Sequence, residues 1–123
     1  IPQIINFKDL VKTNWVVNSS VLVKSELLKT KYQYATSSRV RAVEDYATWL
    51  RIATDVKIHI LSEPLTNYRI SDDSIRSSDL VDPRIHAFSD FLMWAQELPS
   101  RKSSKLKKCQ RRIIKQIAEQ YGN

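Results

Sequence analysis

Arg41-Ala42-Val43-Glu44-Asp45-Tyr46-Ala47-Thr48-Trp49-Leu50-Arg51-Ile52-Ala53 reads as a helix that opens on two carboxylates. Helical spacing puts Val43, Ala47, Leu50 and Thr54 on one stripe, and Tyr46, Leu50 and Ala53 on the adjoining one. Two such stripes predict a helix from about Val43 to Thr54 laid against a core. Asp45 shares a face with Trp49 and Ile52, which predicts a carboxylate turned toward a partly apolar pocket rather than open water. An acidic pair at a helix start also has an ordinary role. It complements the helix dipole, worth about 0.3–1 kcal/mol.

Upstream of this helix, residues 1–14 predict a short helix capped by Asn6, with Phe7, Leu10 and Val11 facing inward. Trp15-Val16-Val17 and Val21-Leu22-Val23 are β-branched runs that predict strands or strand edges. Ser25 is the expected N-cap of one or two helical turns ending at Lys29. Thr30 to Arg41 has no period and reads as a loop with two tyrosines. Downstream, Val56 to Leu61 alternates as a strand, Pro64 interrupts, and Thr66 to Ile70 is again extended. Asp82 as N-cap and Pro83 at the first helical position start a further helix. Its stripe is Ile85, Phe88, Leu92 and Ala95, widened by Phe91, Trp94 and Leu98, and Pro99 ends it. The last helix runs from about Ser104 to Tyr121 on an apolar line of Leu106, Cys109, Ile113 and Ile117.

The 123 residues suffice for one core, and no apolar run approaches the roughly 20 residues needed to span a bilayer. No signal peptide is visible, but the chain opens on Ile1, which leaves room for a removed or missing N-terminal part. The lone Cys109 has no internal disulfide partner and fits a reducing compartment. The single glycine, Gly122, leaves no phosphate-cradling glycine loop, and no Asp-x-Asp occurs. His59 and His86 lack ligand spacing, and with Cys109 they make no zinc pattern. Asp72 and Asp73 are adjacent and read as a solvated turn.

Three ordered blocks carry a family resemblance. Glu44-Asp45-Tyr46 followed by Trp49-Leu50-Arg51 resembles the "EDY-x-x-WLR" segment of family 2 glycosyltransferases. Asn18 to Ser25 is similar to that family's "SSVLIRRS" strand. Glu63-Pro64-Leu65-Thr66-Asn67-Tyr68-Arg69 with Asp72-Asp73-Ser74-Ile75 is similar to its "EPL-x-x-YR…NS-x-S" segment. The blocks span about Asn14 to Ser78. The resemblance implies an α-rich α/β fold that is the C-terminal, acceptor-side part of a GT-A, Rossmann-like enzyme. Such a fold would have a few short strands, four to five helices, and two amphipathic helices at its end. It divides the chain into residues 1–80, the catalytic part, and 81–123, a helical extension.

The same resemblance implies an inverting transfer of sugar from a nucleotide-sugar donor to a hydroxyl of a saccharide or lipid-linked glycan. Cell-surface polysaccharide or lipopolysaccharide biosynthesis is the implied setting, in the cytoplasm or peripheral to the inner membrane face. Asp45 takes the role of general base, Glu44 helps to position the acceptor, and Arg69 lies near the donor diphosphate. A divalent metal, Mg or Mn, is implied for the full enzyme, with its ligands in the missing N-terminal half. Members of the family often carry a His two residues after the Arg; here that position is Ser71, so no metal ligand is assigned. Where the family has Gly-Gly-Phe, this chain has Lys31-Tyr32-Gln33-Tyr34, a departure that bears on the local turn and on acceptor preference.

Charge is concentrated in one place. Arg101 to Lys115 holds Arg101, Lys102, Lys105, Lys107, Lys108, Arg111, Arg112 and Lys115 and no acid, against a chain total of +7. The remainder is therefore close to neutral. Three readings of this segment stand: a solvated helix face, attachment to an anionic membrane surface, and nucleic-acid binding. Aromatics are sparse among these cations, which ranks nucleic acid last. The alternative to a transferase is thus a non-catalytic basic helical module.

Overall fold

The computed structural model describes residues 3–29, 32–36, 40, 43–67, 69, 83–99 and 103–122. Among them the chain forms five α-helices, a single 3-10 turn and two short strands. The class is therefore α-rich α/β. In chain order these are β1 (Ile4–Ile5), α1 (Phe7–Lys12), the 3-10 turn Asn18–Ser20, α2 (Ser25–Lys29), α3 (Glu44–Ile52), β2 (Ile58–His59), α4 (Pro83–Glu97) and α5 (Ser104–Tyr121).

The first helix is shorter than periodicity predicts, and Asn6 is the reason. Its side chain accepts from the Asp9 amide at 2.9 Å, and Asp9 accepts from the Asn6 amide at 3.1 Å. This reciprocal cap starts α1 at Phe7, with Phe7, Leu10 and Val11 buried as expected. The residues before the cap stay extended. Ile4 pairs with His59 and Ile5 with Ile58 in an antiparallel ladder, and the Ile60 amide donates to the Gln3 carbonyl at 2.8 Å. The strand expected over Val56 to Leu61 is thus limited to the two residues that β1 can pair.

The strands expected at Trp15–Val17 and Val21–Val23 do not form. Val17 and Val21 do have extended backbone angles. However, the 3-10 turn between them, closed by the Ser20 hydroxyl donating to the Val17 carbonyl at 2.6 Å, sends the chain away without a partner strand. Ser25 is the first residue of α2 rather than its cap. The expected cap Asp82 and the loop Ser71 to Ser78 lie outside the described residues.

Four helices close a ring: α3 packs on α1 and α4, and α5 packs on α1 and α4. The core inside it joins Leu10 and Val11 of α1 to Tyr46, Ala47 and Leu50 of α3. It continues through Ala87, Phe88, Phe91 and Ala95 of α4 to Leu106, Cys109 and Ile113 of α5. The buried stripe of α4 is therefore centred on Ala87, Phe88, Phe91 and Ala95, while the expected Ile85 and Leu92 are only half-buried. Aromatic rings tie the layers together, Phe7 to Phe91 at 5.1 Å and Tyr46 to Phe88 at 6.2 Å between centroids. Among the described residues no helix is long and apolar enough to cross a membrane.

Candidate functional site

Helix α3 is fastened at three levels, and these ties decide where its first turn points. Near its start, the Tyr46 hydroxyl donates to the Leu10 carbonyl at 2.8 Å, at the end of α1. In its middle, Thr48 accepts from the Ala35 amide at 2.9 Å and donates to the Glu44 carbonyl at 2.7 Å, which holds the 32–36 segment against the helix. Near its end, Arg51 reaches Asp90 of α4 at 2.7 Å and the Gln33 carbonyl at 2.9 Å, and lies over the Trp94 ring. Asp90 is 2 % exposed, so this ion pair is buried. Arg51, part of the family-like block, is therefore a clamp between α3, the loop and α4.

The first turn of α3 has no capping side chain, because Val43 precedes it. Asp45 fills part of that role: its Oδ1 accepts from the Tyr46 amide at 2.8 Å. Glu44 and Asp45 are both half-buried. Burial pushes the Asp45 carboxyl above the usual carboxylate range. The amides of Tyr46 and of Asp45 itself oppose the shift, and the Glu44 charge adds to it. Asp45 is thus turned partly away from water, but neither described cavity borders it, and it also takes an ordinary role in the first turn.

Tyr34 stands beside the acidic pair. Burial raises its phenol pKa first, the charges of Asp45 and Glu44 raise it further, and a hydrogen bond with the Asn18 side chain opposes them. Its ring meets Trp49 edge-on at 6.4 Å and stays 38 % exposed. Trp49 is 4 % exposed, and its indole N–H finds no hydrogen-bond partner among the described residues. The site thus joins two carboxylates, a half-exposed phenol and an amide side chain on an aromatic backing. That set can accept and donate hydrogen bonds to hydroxyl groups and can take a proton at Asp45. Neither Tyr34 nor Asn18 was given a site role from sequence, although Tyr34 belongs to the departure from Gly-Gly-Phe that bears on acceptor preference and Asn18 opens a family-like block.

Arg69 lies in an exposed, irregular stretch, and no described contact brings it to Asp45. Tyr68 and Ser71 fall outside the described residues. His59 is exposed on β2 and His86 half-buried on α4. Among the described residues no three His, Cys, Asp or Glu side chains gather as a metal site. Two described cavities lie between α1 and α5, toward the C-terminal end of α3, and Asp45 lines neither. No protein-family model, no curated protein and no solved structure matches the chain.

Proposed function

We propose that this chain is the acceptor-side part of an inverting, family 2-like glycosyltransferase with a GT-A fold. The observation that carries the reading is Asp45, half-buried at the start of α3 with its pKa raised by desolvation and Tyr34 against it. The family-like blocks around it add to this support. In the reaction, the acceptor hydroxyl attacks the anomeric carbon, the nucleoside diphosphate leaves, and Asp45 takes the hydroxyl proton. A raised pKa suits a general base that must hold that proton near neutral pH. Glu44, Tyr34 and Asn18 supply hydrogen bonds that orient the acceptor, a saccharide or lipid-linked glycan.

The donor, the divalent Mg or Mn ion and the remaining wall of the cleft belong to the missing N-terminal half. The residues described here do not fit a metal site, so no step is routed through one. Arg69 is exposed and free in position to meet a diphosphate held by that half. The setting is polysaccharide or lipopolysaccharide assembly on the cytoplasmic side, at or near the inner membrane. In the enzyme that carries both halves, Asp45→Asn lowers kcat by about 10²–10⁴-fold with folding intact. Near-normal transfer by that variant removes the assignment.

A second reading, a basic module on an anionic membrane, draws on α5. Its Lys107 and Arg111 are exposed on the same side as the exposed apolar Ile114. Arg101 and Lys102 lie outside the described residues. Loss of vesicle binding on neutralising Lys107 and Arg111, with sugar transfer unchanged, favours it.

A further inference from the structure

Two adjoining concavities run between α1 and α5. The larger, about 380 Å³, is lined by Lys8, Lys57, Lys105, Lys108 and Arg112, with Phe7, Ala53, Val56 and Cys109 as its apolar part. The smaller, about 250 Å³, shares Lys8 and Arg112 with it and adds Lys12 and Lys115. The cations come from three separate segments. Lys8 and Lys12 are one helical turn apart on α1. Lys105, Lys108, Arg112 and Lys115 recur at steps of three, four and three on α5, a single stripe roughly 15 Å long. Lys57 joins them from the turn before β2.

This stripe differs from a solvated helix face. A solvated face points its charges away from other charges of the same sign. Here the packing of α1 on α5 sets two rows of like charge across one groove, an arrangement that costs Coulomb energy. Few acids offset it. Among the described residues, only Lys105 with Asp55, at 3.3 Å, and Lys115 with Glu119, at 4.0 Å, form ion pairs in the groove. Lys107 and Arg111, on the same helix, line neither cavity.

We propose that the α1–α5 groove is a binding site for a ligand that carries two or more phosphates in a row. Lys8, Lys12, Lys108 and Lys115 meet such a ligand as point charges, and Arg112 offers a bidentate fork at the shared centre of the two concavities. Among the described residues the only aromatic lining the groove is Phe7, which is buried and offers no open ring face for a base to stack on. Recognition therefore runs through phosphates. Free oligophosphates and phosphorylated lipid headgroups share that chemistry. The site is independent of the transferase reading and is tested without any activity measurement.

Titration of the protein with inorganic tripolyphosphate at low salt is the primary measurement. Lys108→Gln with Arg112→Gln should weaken binding by about tenfold or more, whereas Lys107→Gln with Arg111→Gln, the same loss of charge outside the groove, should change it by less than about threefold. Removing groove cations relieves repulsion, so the first pair should melt no lower than the parent at low salt. If it does melt lower, Lys8→Gln with Lys12→Gln, on the opposite wall, provides the same comparison. Equal weakening by the inner and outer pairs overturns the proposal. Vesicles of phosphatidylcholine with and without a phosphoinositide separate the two sources. Pelleting that tripolyphosphate competes away and the inner pair abolishes assigns the groove to a headgroup, and tripolyphosphate binding without pelleting assigns it to a free ligand.

Discussion

The two ends of α3 carry opposite charge and treat it differently. At the N-terminal end, Glu44 and Asp45 are half-buried and partly engaged: Asp45 accepts a helix amide, and the charges of the pair act on the Tyr34 phenol. Toward the C-terminal end, beyond Ala53, lysines from three segments line an open groove, where among the described residues only Lys105 and Lys115 form ion pairs. Both signs agree with the helix dipole, which favours acids at the start and bases at the end. The dipole explains the signs and not the environments. A desolvated carboxylate has its proton affinity tuned and suits proton transfer. A row of hydrated cations keeps its charge and suits the holding of an anion. One short helix thus separates a place fit for chemistry from a place fit for binding.

The Arg51–Asp90 clamp fastens the last turn of α3, between the acidic end and the groove, to α4. Its removal is the largest single effect expected. Arg51→Ala removes the ion pair from the buried Asp90 carboxylate and should cost about 3–5 kcal/mol in denaturant unfolding. Arg51→Met with Asp90→Leu, which removes both charges, should recover most of that loss. If the double variant is as unstable as the single one, the cost lies in packing around Trp94 and not in the lost ion pair.

The link between the acidic end and α1 is weaker. Tyr46→Phe removes the hydroxyl that bonds to the Leu10 carbonyl and leaves that buried carbonyl without this donor. The expected loss is about 1–3 kcal/mol, read from chemical denaturation. Lys8 and Lys12 are on α1, so the same variant should also loosen the groove. Hydrogen exchange of the α1 amides should rise in it while the amides of α4 stay protected. Uniform exchange across both helices would mean that α1 does not open apart from the rest.

Much of this frame is legible in periodicity. Helix α5 runs over Ser104–Tyr121 as its apolar line predicts, and α1 buries the three residues that Asn6 and the spacing point to. Features that depend on a distant partner are not legible. Trp15–Val17 and Val21–Val23 have the residues of strands, but a strand is a property of a pair, and among the described residues neither pairs with another strand. Asp90 breaks the apolar stripe of α4 and has no rationale until Arg51, 39 residues earlier, is placed against it. Tyr34 comes within range of the Asp45 charge, and Asn18 within hydrogen-bond reach of Tyr34, through the fold alone. Lys8 and Lys12 are two ordinary exposed lysines until α5 is laid alongside. The acidic pair itself was legible, and so was its partial burial, because helical spacing puts Asp45 on the Trp49 side.

The smallest expected effect bears most directly on the contrast between the ends. The folded-state pKa of Asp45 is raised, so the folded protein binds that proton more tightly than the unfolded chain does. Its contribution to stability is therefore complete below the unfolded value, about 3.9, and is lost as pH rises through the folded value. Above the folded value the ionised Asp45 weakens the fold. Asp45→Asn keeps the oxygen that accepts from the Tyr46 amide and cannot ionise, so it should melt higher than the parent at pH 7. The difference should shrink as the pH falls toward 4. Neutralising Lys108 and Arg112 should also raise the melting point, but that gain should fade with added salt because those charges are hydrated and screened. The Asp45→Asn gain should persist in salt because it arises from desolvation. If both gains fade alike, the Asp45 carboxylate is as open to solvent as the groove, and the two ends of α3 differ only in sign.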